Sequence, residues 1–441
     1  MKKVITYGTF DLFHQGHYNI LKRAKEYGDY LIVGVTSESY DIERGKLSVH
    51  DSLTKRIENV LKTGFVDEVI IEEYVGQKIR DVIKYDIDTF VIGDDWKGKF
   101  DHLESYCNVV YLERTKNISS TQIREKSDNI FRIGIIAAKE ADYSFIDEVK
   151  YVSGLHVQSV LTADDQFGKE LCDTYSINSY YTDFEKFAED IDIAIITTDL
   201  DQRYDWAKKC IQLKKHVICQ IPITLQEVKM EELQNLAKTN KVALIENLTT
   251  VYLRAFTQLL WMAKGDILGR LLSVKCVISD DNVTRNKSIL DMMSLCIAMI
   301  VKFKNGDLRK MVQRSPKKGS EKKYYNISFL TDNVIGNIEV GKGIELENEL
   351  VIVGEKASII AKEDWWNTGY FEVKKYGEKF VKKYSYNFEG NGFRYILQEL
   401  LIMLRDDRYE CTRLFAEESL EIIQLLNTVF EFKKDFENDI M

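Results

Sequence analysis

The chain has 441 residues, 45% hydrophobic and 30% charged, with 61 lysines and arginines against 70 aspartates and glutamates and a formal net charge of -9. That length implies two or three domains, and the acidic balance argues against nucleic acid or an anionic membrane surface as a partner. Cys107, Cys172, Cys210, Cys219, Cys276, Cys296 and Cys411 form no C-x-x-C pair and read as reduced thiols; with no charged-then-apolar leader, the expected location is the cytoplasm.

In chain order, the first predicted strand, Val4 to Tyr7, runs into the turn Gly8-Thr9-Phe10-Asp11 and then a helix beginning around His14 and His17. Gly8 is expected to let the chain bend tightly, so that the amides after it can approach an anion. The i, i+3 spacing places both imidazoles on one helical face, with Gly16 leaving room beside them, where ring N–H groups can stabilise charge growing on a phosphoryl oxygen. A bare H-x-x-H also fits metal ligands or ordinary polar residues at a helix start. Farther on, Ser119, Ser120 and Thr121 precede a predicted helix over 122–126, so amides and hydroxyls there would face an anion.

The His14-x-Gly16-His17 segment is followed, in order, by Gly93-Asp94-Asp95-Trp96, by Lys99-Phe100-Asp101 and by the run Arg114-Thr115-Lys116-Asn117-Ile118-Ser119-Ser120-Thr121. Over about residues 1–126 this pattern resembles the glycerol-3-phosphate cytidylyltransferase family of the HxGH nucleotidylyltransferases. The resemblance implies a Rossmann-like parallel sheet and attack by a phosphomonoester oxygen on the α-phosphate of CTP, with Mg2+ accompanying the nucleotide and no metal held by protein ligands alone. It gives catalytic roles to His14, His17, Lys46 and Arg114. Gly8, Thr9, Phe10, Asp11, Arg44, Arg56, Asp94, Trp96, Ile118, Ser119, Ser120 and Thr121 are implied to bind nucleotide or acceptor, Asp11 being open between metal and acceptor contact. Two departures stand out: the family carries lysine where this chain has Arg44, and one residue is inserted before Arg56. The implied product is a CDP-alcohol, most simply CDP-glycerol for teichoic-acid or capsule synthesis, although related transferases use phosphocholine or phosphoethanolamine.

The charged stretch Glu125 to Asn129 then interrupts the pattern, and a fresh strand begins at Phe131. Strands predicted at Val157 to Thr162, Ile191 to Thr197, His216 to Gln220 and Val242 to Glu246 describe a second parallel α/β unit. Beyond about Ile267 the segments Leu271 to Ile278, Tyr325 to Leu330, Val334 to Val340, Glu349 to Val353 and Ala357 to Ala361 alternate, as in an open, largely antiparallel sheet, closed by helices at Phe393 to Arg405 and Glu417 to Phe432. The apolar run Leu290 to Val301 is too short to span a bilayer. The expected organisation is α/β: residues 1–128 a cytidylyltransferase domain, 129–250 a Rossmann-like domain and 251–441 an α+β domain.

From Phe131 to about 432 the order of elements resembles the Gfo/Idh/MocA oxidoreductases, with Lys215-His216-Val217-Ile218-Cys219, Gly392-Phe393-Arg394 and Glu417-Glu418-Ser419-Leu420 as supporting segments. The residues that would carry that family's chemistry are replaced. Where G-x-G-x-x-G/A should begin the chain reads Ala137-Ala138-Lys139-Glu140-Ala141, which opposes NAD(P) in the usual pose. The lysine of Glu-Lys-Pro is Ile221, and the proton-donating histidine is Leu295. Asp164 either accepts ribose hydroxyls or is an ordinary residue at a strand end. Three functions fit: a cytidylyltransferase whose second half is a binding, dimerising or regulatory module, which is preferred; a bifunctional enzyme that also makes its alcohol phosphate with NAD(P)H; or a scaffold without catalysis, which the intact HxGH motif opposes. Both resemblances imply a homodimer.

Overall fold

The computed structural model describes residues 1–43, 49, 51–74, 76–113, 130–280, 288–304, 308–314, 323–386 and 389–431. Two compact units result, residues 1–130 with 150–155, and residues 131–149 with 156–441.

In the first unit, apolar runs such as Tyr-Leu-Ile-Val-Gly-Val-Thr, with no polar alternation, form strands covered on both faces. These are β1 (Lys3–Gly8), β2 (Tyr30–Thr36), β3 (Glu68–Glu72), β4 (Thr89–Gly93) and β5 (Asn108–Leu112), in the order β3-β2-β1-β4-β5. Every pair is parallel. One face buries Val4, Leu31, Val33 and Val35 with Leu21, Ala24 and Val60. The other buries Ile5, Tyr7, Ile32 and Phe90 with Val82. Strand order reverses between β1 and β4, so the crevice beyond the carboxyl ends of these two strands is where a ligand can enter.

The second unit has two sheets. β6 (Phe131–Ile136), β7 (Leu155–Leu161), β8 (Ser179–Tyr181), β9 (Ile193–Ile196), β10 (His216–Gln220) and β11 (Leu244–Asn247) are ordered β11-β10-β9-β6-β7-β8, again with a switch beside the first strand. An eight-stranded sheet follows, built from β12 (Leu271–Asp280), β13 (Leu308–Arg314), β14 (Lys323–Thr331), β15 (Ile335–Lys342), β16 (Glu349–Gly354), β17 (Ala357–Lys362), β18 (Tyr370–Lys375) and β19 (Lys382–Ser385), ordered β13-β14-β15-β12-β16-β17-β18-β19. The sheet is largely antiparallel as expected; its one parallel pairing among the described residues lies at the centre, where β12 runs parallel to β15 while pairing antiparallel with β16. Alternation reveals which residues face inward but not the direction of a neighbouring strand. The Leu290 to Val301 run is the body of helix Ile289–Phe303, buried nearly all round and capped by Ser288 and Asp291. It lies close over β15: a side-chain carbon on Gly336 would sit 2.9 Å from Ile300 Cδ1. Among the described residues no helix is long and apolar enough to cross a membrane.

Glu246, on β11, is 5% exposed. Burial pushes its carboxyl up to about 7, against the lowering effect of hydrogen bonds from the Ser419 hydroxyl and the Ile223 amide. Its folded value lies above the ordinary 4.5, so folding takes up a proton, and the stability this provides is full below 4.5 and lost as pH rises toward 7. Glu246→Gln should therefore gain on the parent chain, by several degrees of melting temperature, on going from about pH 5 to about pH 8. Parallel melting curves at the two pH values check this; an unchanged gap would contradict it.

Candidate active site

Helix Gln15–Lys25 begins at the crevice between β1 and β4. His14 is its N-cap, with extended backbone, and its Nδ1 accepts a hydrogen bond from the Gly16 amide at 3.0 Å. An accepting Nδ1 places the ring proton on Nε2, making that atom the donor. The His14 and His17 rings stack with centroids 3.9 Å apart and planes 22° from parallel. The half-buried His17 is further held by Phe10 at 5.4 Å, edge-on, and by Phe13 at 5.5 Å. The i, i+3 pair is thus one preorganised unit at a helix start, where the first amides also favour an anion.

The turn before it differs from the expectation. Gly8 is not among the positive-φ residues; those are Phe10 at φ 55° and Leu12 at φ 47°. What Gly8 provides is space, because a Cβ there would lie 3.0 Å from Cε2 and Cζ of the Phe10 ring. Backbone strain at Phe10 and Leu12 is maintained by packing around them, and such strain concentrates at working sites.

Arg56 is corrected as a phosphate contact, because its side chain is 0% exposed. Nε donates to the Asp51 carbonyl at 3.0 Å, while Nη1 donates to the carbonyls of Thr9 at 2.9 Å and Thr36 at 2.8 Å. Its carboxylate partner is Asp41, also buried, at 3.5 Å, which in turn accepts from the Thr9 hydroxyl at 3.0 Å. Asp11 Oδ1 accepts from the Asp51 amide at 2.8 Å. Arg56 and Asp11 therefore join the HxGH turn, the end of β2 and the start of helix Leu53–Leu61 from beneath. Sequence reading missed Asp41, and the burial of Arg56 had a signal: it shares a stripe with Leu53, Ile57 and Val60.

Asp94 and Trp96 form a short turn after β4, across the crevice. Trp96 packs 5.8 Å from Phe100, with the Lys99 ammonium 5.0 Å over its indole. A second cluster went unread: Lys78 lies over the Tyr7 ring at 4.6 Å and the Phe100 ring at 5.5 Å and pairs with Glu72. The Tyr7 hydroxyl donates to Asp81 at 3.0 Å, and burial, then Asp81, hold it protonated far above the ordinary tyrosine range. The i, i+3 spacing of Lys78 and Asp81 was the available clue. Arg44, Lys46, Arg114, Ile118, Ser119, Ser120 and Thr121 lie outside the described residues. Among those described, no group of three histidine, cysteine or carboxylate side chains could hold a metal ion.

In the second unit, Asp164 caps helix Asp165–Tyr175, its Oδ1 accepting from the Gln166 and Phe167 amides at 3.0 Å each. Its other oxygen meets Lys139 at 3.4 Å. The Phe167 amide bond, ahead of Lys139, holds this carboxyl below its ordinary range. The Ile221 side chain is buried, and Gln220 bridges Arg203 at 3.1 Å and Asp291 at 3.2 Å.

Comparison with known proteins divides the chain at the same place. The cytidylyltransferase-like family model matches residues 5–126, and that of the oxidoreductase family with an NAD-binding Rossmann fold matches residues 131–248. Glycerol-3-phosphate cytidylyltransferase of Bacillus spizizenii is 56% identical over 126 residues, covering 28% of this chain and 96% of that protein. Its Staphylococcus aureus counterpart is 46% identical over 126 residues, 29% of this chain and 95% of that protein. Among solved structures, a 3-ketoreductase from Actinomadura kijaniata in complex with NADP and TDP-benzene superposes with a TM-score of 0.58 at 15% identity, over 68% of this chain and 97% of that one. At that identity the likeness is one of fold.

Proposed function

We propose, for a chain that belongs through residues 5–126 to the cytidylyltransferase-like family and through residues 131–248 to the Gfo/Idh/MocA oxidoreductase family, that it transfers CMP from CTP to a phosphorylated alcohol and releases pyrophosphate. The observation that carries this is the stacked His14–His17 pair at a helix start beside the β1/β4 switch point. A phosphomonoester oxygen of the acceptor attacks the α-phosphorus as the bond to the pyrophosphate oxygen breaks. The imidazole donors hold the oxygens on which negative charge accumulates, and Lys46 and Arg114 neutralise the phosphates. Mg2+ enters with CTP as part of the substrate. Positioning and electrostatics account for the rate, with no covalent intermediate.

The acceptor is glycerol 3-phosphate and the product CDP-glycerol, supported by the Gly93–Trp96 block and by the names of relatives covered almost end to end. Asp94 and Trp96 shape the acceptor side, and the product serves cell-surface polymer synthesis in the cytoplasm. Pyrophosphate release from CTP and magnesium, measured across glycerol 3-phosphate, phosphoethanolamine and phosphocholine, tests the reading. Glycerol 3-phosphate should dominate, and no release with any of the three would refute it.

The second unit acts on this reading as a binding or dimerisation module. Lys139→Ala breaks an exposed, solvent-screened pair and should leave pyrophosphate release within about twofold of the parent. A large loss would instead couple this unit to the transferase chemistry.

A further inference from the structure

We infer that the elements a dinucleotide would use at the second Rossmann-like sheet are engaged by the chain's own side chains, so that this unit takes no NAD(P) and serves as a fixed frame. A dinucleotide needs three things at the switch point beside β6: a close-approach loop, a helix N-terminus for the pyrophosphate and a carboxylate for the ribose. Each is otherwise engaged.

The loop after β6 carries Ala137, Ala138 and Lys139, and beneath it lies Tyr143, 7% exposed. The Tyr143 hydroxyl donates to the Ala138 carbonyl at 2.6 Å and lies 3.4 Å from the Thr197 hydroxyl just beyond β9. The switch between β6 and β9 is therefore bridged by a phenol. The helix that follows, Phe145–Val149, has only five residues, too few to present the aligned amides a pyrophosphate requires. It is also anchored. Glu148 and Arg394, 7% and 3% exposed, pair at 2.7 Å, and Phe145 packs 5.0 Å from Phe393. Asn391 adds a bond to Ser144 at 3.2 Å, and Gly390 lies so close that a Cβ there would overlap the Glu148 carboxylate. This segment is thus fastened to helix Phe393–Arg405 rather than shaped around a ligand. The third element, Asp164, caps its own helix with one oxygen and meets Lys139 with the other.

The residues present do not fit a dinucleotide, and the inference stands independently of the transferase reading. The full chain is tested by hydrogen exchange over peptides covering residues 137–148 and by thermal unfolding, each with and without NADP+, NADPH, NAD+ or NADH at about 1 mM. The expected result is exchange in that segment identical with and without dinucleotide, and an unmoved melting temperature. Exchange that slows on adding a dinucleotide, or a saturable rise in melting temperature, overturns it. A cooperative melting transition shows that the chain under test is folded.

Discussion

Replacing His17 by alanine should lower the turnover number for pyrophosphate release by at least about 100-fold, the usual cost of removing one preorganised transition-state donor. The geometry explains why the loss should fall on the chemical step. His17 is gripped by Phe10, Phe13 and the stacked His14 ring, so its orientation is fixed before substrate arrives. A donor fixed in advance needs no reorganisation as charge moves onto the phosphoryl oxygens. CTP affinity, which also draws on helix amides, should fall much less. Steady-state kinetics with glycerol 3-phosphate, beside circular dichroism to confirm the fold, separates these effects; retention of more than about a tenth of parent turnover contradicts the mechanism.

Arg56→Met should cost about 3–5 kcal/mol of stability, because it removes the donors to three carbonyls and takes one cation from the buried Asp41 carboxylate. Thr9, Thr36 and Asp51 belong to the segments that shape the HxGH turn, so transferase activity should fall with stability. Urea unfolding of parent and variant measures the first effect. Arg56→Lys restores charge but not the fork that reaches two carbonyls at once, and should recover only part of either. Were Arg56 a phosphate ligand, its loss would weaken CTP binding without lowering the unfolding free energy.

Much of this architecture was legible in the chain. Mostly apolar runs at Val4 to Tyr7 and Ile191 to Thr197 announced strands, and the His14-x-Gly16-His17 spacing placed both imidazoles at one helix start. What escaped has physical reasons. A buried arginine carries no mark of burial except its neighbours, and Leu53, Ile57 and Val60 were that mark. Gly8 read as a bend, whereas its role is steric clearance for an aromatic ring two residues on, which no local propensity encodes. β13 and β18 carry adjacent charges, Arg309-Lys310 and Lys374-Lys375, that break the alternation, so they did not read as strands. The Lys139–Asp164 and Glu148–Arg394 pairs join residues 25 and 246 positions apart, and composition alone reveals no such partnership.

The parallel pairing of β12 with β15 has a consequence for the order of events during synthesis. β12 leaves the ribosome before either strand that flanks it, and both partners follow only after helix Ile289–Phe303 and two further strands. Pairing across such separations is slow, so the large sheet must wait for its later strands. Throughout that interval Leu271–Asp280 is an apolar strand with two vacant edges, open to pairing with other chains. A chain cut short before Ile335 would keep both edges vacant, and it is such fragments, rather than the full-length protein, that should need chaperones and accumulate as aggregates.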